Sequence, residues 1–192
     1  MEKLTLYKKM PIKDYILYSA VIILGIIADQ VTKIIVLMQE WTLGDEHPII
    51  DGLLTFVLHK NRGALGGLLA DNRAVFMIIS TIAIIGFALY IFLGHADTKI
   101  MGISMALVTS GGIGNMIDRI FIGEVTDFIK FPFVYYPSFS GGELVWNEFP
   151  IFNIADCFVT VGAFTMIFAL LVALIKEIKK SKREKREKSG KE

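Results

Sequence analysis

Between Arg73 and His95 the chain runs for 21 residues, Ala74–Gly94, without a charge. At about 1.5 Å per helical residue, such a run crosses the roughly 30 Å hydrocarbon core of a bilayer. Residues 100–117 and 157–175 are also charge-free and long enough to span. The first apolar segment, 15–39, is interrupted only by Asp29 and Lys33. The pattern predicts four transmembrane helices, at about 15–39, 74–94, 98–120 and 152–176, with outer loops at about 40–73 and 121–151. A cleaved signal peptide is a weak rival for the first segment. Its run is too long, and a charged pair stands where small residues should precede a cleavage site. Hydrophobic residues make up 54% of the chain, against about 45–50% apolar in a soluble domain. One cysteine, Cys157, excludes an intramolecular disulfide framework and a CxxC metal knuckle, and is expected only to pack.

Charge placement sets the topology. Of the 20 Lys and Arg residues, four lie in residues 1–13 and nine between Lys176 and Lys191. Four spans put both ends on one side, and the positive-inside rule makes that side cytoplasmic. Residues 1–176 read as a single membrane-embedded domain and 177–192 as a basic cytoplasmic tail near anionic lipid. A nucleic-acid partner is not expected. In the outer loops, Leu53–His59 is rich in β-formers and leads to the turn signal Asn61-Arg-Gly63, which predicts a small strand or hairpin. The aromatic stretch 128–136, with Trp146 and Phe149, reads as an interfacial belt. The fold class expected is a mainly α integral membrane protein, a four-helix bundle with a small extracytoplasmic β-element.

Ionisable groups inside spans are costly and mark function. Lys33 lies 19 residues beyond Asp14, Asp118 lies 19 beyond Lys99, and Asp156 lies 20 before Lys176. Each interval is about 28–30 Å of helix from the cytoplasmic side. Three helices thus bring polar groups to one level near the outer boundary. Asp29 and Lys33 are i,i+4 and can pair; Asn115 with Arg119, and Asn153 with Asp156, also have helical spacing. Asp29–Lys33 and Asp118–Arg119 read as paired charges that hold a site. Gly102, Ala106, Ser110 and Gly114 form a small-residue stripe suited to close packing.

Two carboxylates, Asp127 and Asp156, have no obvious sequence neighbour as partner. Brought together in a low-dielectric pocket, they would share one proton and act on a bound water as general base and general acid. That arrangement suits peptide hydrolysis without a metal or a nucleophilic serine. Separately, Asp156 reads equally as a first-turn acid and Asp127 as a loop acid. A proton-coupled transporter using Asp29, Asp118 and Asp156, and a non-catalytic scaffold, are the rival readings. The acids do not cross the membrane in a chain, and no inverted repeat is evident.

Five blocks taken in order resemble the lipoprotein signal peptidases (signal peptidase II), the intramembrane aspartyl peptidases of bacteria. They are Asp29-Gln-Val-Thr-Lys33, Asn61-Arg-Gly-Ala64, Gly111-Gly-Ile-Gly-Asn-Met-Ile-Asp-Arg119, Val125-Thr-Asp-Phe128 and Phe152-Asn-Ile-Ala-Asp156. The resemblance implies removal of signal peptides from diacylglyceryl-modified prolipoproteins, before the lipid-bearing cysteine, at the outer face of the bacterial cytoplasmic membrane. It implies that Asp127 and Asp156 are catalytic. It also implies that Asn61, Asn115, Arg119, Asn153 and Ala155, with Asp29, Lys33 and Gly111, line or support the site. Neither a cofactor nor a metal is expected; the partners are the prolipoprotein and membrane lipids, and the chain is expected to be monomeric. The sequence departs from the family at Leu65-Gly-Gly67, where an aromatic residue is usual, and in a longer stretch between the aspartates that includes Ser138–Glu143.

Overall fold

The computed structural model describes residues 10–61, 73–96, 98–140 and 143–189. The helices are α1 (Ile12–Leu37), α2 (Arg73–Phe92), α3 (Lys99–Phe121) and α4 (Ile154–Ser189). The strands are β1 (Glu46–Ile50), β2 (Leu54–Asn61), β3 (Val125–Lys130), β4 (Tyr135–Ser140) and β5 (Glu143–Glu148). Three helices are long and apolar enough to cross a membrane: Ile12–Leu37, Lys99–Phe121 and Ile154–Lys182. The apolar part of α2, Met77–Phe92, is shorter. In hydrocarbon a helix pairs its own backbone groups, so apolar side chains can face outward. They do: Ile23, Leu24 and Ile27 of α1, Ile78, Ile79 and Ile82 of α2, and Phe164, Phe168 and Leu171 of α4 are exposed. The last helix continues without a break past Lys176.

Helix α3 packs against the other three helices, because its small-residue stripe admits close neighbours. Gly102 lies under the ring of Tyr18, and a Cβ on Gly114 would stand 2.5 Å from Asp29 Oδ2. A Cβ on Gly111 would run into the Ala155 carbonyl of α4. Packing is thus the stripe's role, as its spacing suggests. Thr98 starts the helix, its hydroxyl accepting from Met101 N at 3.2 Å.

Strands β1, β2 and β3 form an antiparallel sheet in that order, and β4–β5 is a separate hairpin. The predicted strand at 53–59 is β2; the turn beyond Asn61, and Leu65-Gly-Gly67, lie outside the described residues. The sheet closes over the C-terminal end of α1, where Val36 packs with Leu58, Phe128 and Ile129. Phe128 is therefore core, edge-on to Phe56 at 5.6 Å, and not part of an interfacial belt. Pairing within the sheet turned it inward. Phe133, Tyr135, Tyr136 and Trp146 remain exposed. The longer stretch between the aspartates contributes the antiparallel pair β4–β5. Lys130 of β3 ties it to the sheet, binding Glu148 of β5 at 2.9 Å and Glu46 of β1 at 2.7 Å.

Candidate active site

The C-terminal ends of α1 and α3 and the N-terminal end of α4 meet beneath the sheet, and the polar residues of all three converge there. Burying Lys33 unpaired would be prohibitive, yet it is 2% exposed. Three acceptors surround its ammonium: Asp29 at 2.8 Å, Asp118 at 3.2 Å and Asn115 Oδ1 at 3.1 Å. The expected Asp29–Lys33 pair is present. The expected Asp118–Arg119 unit is corrected, because neighbouring residues on a helix point in different directions. Asp118 turns inward to Lys33, and also accepts from Thr126 N at 2.9 Å. Arg119 Nη1 donates to the Asn115 carbonyl at 3.2 Å.

Asp29 has a second task. Its Oδ1 accepts the Ala155 backbone N–H at 3.0 Å, so α1 supplies an anion to the N-terminus of α4. Asn153, just ahead of α4, completes the cap in both directions. Its Oδ1 accepts from Asp156 N at 3.0 Å, while its own N–H donates to Asp156 Oδ2 at 3.1 Å. This reciprocal pair has the logic of a capping box. Asp156 is thus a first-turn acid as well as a wall of the site.

The same asparagine joins the two candidate carboxylates. With its oxygen on Asp156 N, the Asn153 amide nitrogen points at Asp127 Oδ1, 2.7 Å away, and at Asn115 Oδ1, 3.0 Å away. Asn115, oriented by Lys33 on its oxygen, donates to Asp156 Oδ1 at 2.8 Å. Asn61 donates to Asp127 Oδ2 at 2.9 Å. The partners of Asp127 and Asp156 come largely from elsewhere in the chain: asparagines from β2, α3 and the start of α4 hold them. One backbone contact makes this possible. Phe152 bridges to Ile129 of β3, its carbonyl accepting from Phe128 N and Ile129 N at 3.0 and 2.8 Å, which sets Asn153 beside Asp127.

Asp127 lies on β3 and is 2% exposed. Burial first, and then the charge of Asp156, push its carboxyl up to about 7. The bonds from Asn61 and Asn153 and the charge of Lys33 act the other way without cancelling the rise. Both aspartates line one cavity of about 470 Å³, together with Asn61, Asn115 and Arg119. Ile84 and Phe87 of α2 and Phe149–Phe152 add apolar walls. Gly111 and Ala155 act through packing and backbone, as described above. Among the described residues no group of three His, Cys, Asp or Glu side chains converges as a metal site.

The family described as Signal peptidase (SPase) II matches residues 21–172. A protein named lipoprotein signal peptidase from Bacillus pumilus (strain SAFR-032) is 34% identical over 155 residues, covering 81% of this chain and 92% of its own. One of the same name from Clostridium tetani (strain Massachusetts / E88) is 36% identical over 157 residues, covering 82% and 91%. The chain belongs to the signal peptidase II family. Two solved structures described as bacterial membrane enzymes, at 34% identity, superpose with TM-scores of 0.66 and 0.67. Each covers 80% of this chain, and the matches span 87% and 92% of theirs. Membership makes this chain a peptidase, and the structural neighbours are membrane enzymes.

Within this signal peptidase II chain, sequence reasoning passed over three residues of the site. Gln30 donates to Asp29, to the Gly114 carbonyl and to Asp118, at 3.1, 3.1 and 3.2 Å. Its place beside Asp29 in a span was the available signal. Thr126 receives Lys60 on its hydroxyl at 2.9 Å. His59 stands opposite Asp127. Neither could be found without the pairing of β2 with β3.

Proposed function

We propose that this chain is an intramembrane aspartyl endopeptidase that removes signal peptides from diacylglyceryl-modified prolipoproteins, cleaving before the lipid-bearing cysteine. The observation that carries the reading is the Asn153 bridge, which fixes Asp127 and Asp156 on the wall of one largely apolar cavity. With a carboxyl that holds its proton to about 7, the pair enters the reaction with one proton between them. One carboxylate takes a proton from water as it attacks the scissile carbonyl. The other protonates the carbonyl oxygen and later the leaving amine. Asn61, Asn115 and Arg119 border the same space, where they can bind peptide groups and the developing oxyanion.

In this reading four helices span the bacterial cytoplasmic membrane, α2 included, and both Lys-rich ends are cytoplasmic. Residues 1–176 form the peptidase domain, residues 177–192 the basic tail, and the chain works as a monomer. The dyad then lies near the outer face, and the signal helix of the substrate enters sideways from lipid. Replacing Asp127 and Asp156 singly by Asn tests the mechanism. Each variant should accumulate in the membrane and leave prolipoproteins uncleaved in cells. Normal maturation with either variant would sink the dyad assignment.

A further inference from the structure

The pairing of β2 with β3 contains an irregularity beside the dyad. Phe56 pairs with Ile129, but by His59 the register has moved by one residue, so that His59 pairs with Asp127. Without the extra residue, Leu58 would oppose Asp127 and His59 would oppose Thr126. The bulge sends Leu58 into the core with Val36 and Phe128 and gives Asp127 an imidazole as its cross-strand neighbour. Bulges beside active sites commonly re-aim one side chain in this way. His59 Nδ1 lies 4.0 Å from Asp127 Oδ2, the oxygen that also receives Asn61. The two side chains differ in access to water: that of His59 is 49% exposed, that of Asp127 only 2%.

We infer that His59 is a positioning residue whose protonation state sets the acid limit of the aspartate pair. This rests on the proposal that Asp127 and Asp156 are the catalytic pair. Imidazole is the side chain whose charge changes in the range where enzymes work. When charged, His59 faces Oδ2 and opposes uptake of a second proton by the pair. The other charged groups of this region are Asp29 and Lys33 from α1, Asp118 and Arg119 from α3, and Lys60 from β2. Asp156 from α4 belongs to the pair itself. His59 stands at the solvent edge of the pair, with its imidazole half-exposed.

The test is the pH profile of kcat/KM for a diacylglyceryl peptide cleaved by full-length protein in nanodiscs, for wild type, H59Q, H59K and D127N. H59Q should move the acid limb to higher pH by up to about one unit, the lower end of the effect of a charge at this distance. H59K, which carries its charge throughout, should leave the limb at or below the wild-type position. A limb raised in H59Q but not in H59K separates an electrostatic role from a packing role, which would move both variants alike. Unmoved limbs in H59Q and H59K, or limbs moved in the same direction, overturn the inference while an inactive D127N leaves the dyad standing. An active D127N overturns the dyad, and the inference with it.

Discussion

Asn153 holds together the helix start and the two aspartates, so N153A should fail in two separable ways. Losing the cap on α4 costs about 1 kcal/mol. Losing a hydrogen bond to a charged carboxylate costs about 1.5–3 kcal/mol, and the 2.7 Å bond to Asp127 is of that kind. Stability should fall by about 2.5–4 kcal/mol, read as a lower thermal midpoint in detergent. The Asp127 bond favours the ionised form, so its removal raises the carboxyl further above about 7. At 1.36 kcal/mol per unit, the alkaline limb of kcat/KM, where the pair loses its shared proton, moves up by about one to two units. The lowered kcat/KM of N153A should therefore persist to higher pH than that of the wild type before it falls. N153D keeps a capping oxygen but offers no donor to Asp127; it should recover stability better than activity. An equal loss of kcat/KM by N153A at every pH would refute the electrostatic part of this reasoning.

The raised carboxyl of Asp127 also predicts a stability profile. Folded Asp127 holds its proton to about 7, against 3.8 for an ordinary aspartate, so the folded state binds that proton more tightly. Its stabilising contribution is complete below about pH 4 and is lost as pH rises to about 7, a change of about 4 kcal/mol at most. D127N should flatten the fall in thermal midpoint between pH 4 and 7, and an unaltered slope would assign it to other groups. Lys33→Met should leave Asp29 and Asp118 as buried acids without their cation and cost about 3–5 kcal/mol, read as loss of folded protein from the membrane. G114A should push Asp29 away from Ala155 N and cost about 1–3 kcal/mol, with a lower thermal midpoint and reduced cleavage together.

Spacing in the chain was enough for the long apolar helices, for the strand before Asn61, and for the convergence of Lys33, Asp118 and Asp156. The reason is that a helix has a fixed rise, so counting residues from a charged end measures depth along it. The same regularity makes the Asp29–Lys33 pair and the Gly102–Gly114 stripe visible, since both lie along a single helix. What spacing cannot supply is orientation between elements. Asp118 binds Lys33 because α1 and α3 pack at Gly114, and adjacency to Arg119 says nothing about that contact. Asp127 has its asparagine partners because Phe152 bridges β3. His59 faces it because of a one-residue bulge. Each depends on backbone hydrogen bonds between segments far apart in sequence, whose register no local pattern encodes. The aspartates are therefore legible as residues, while their shared asparagine and their titration belong to the assembled fold.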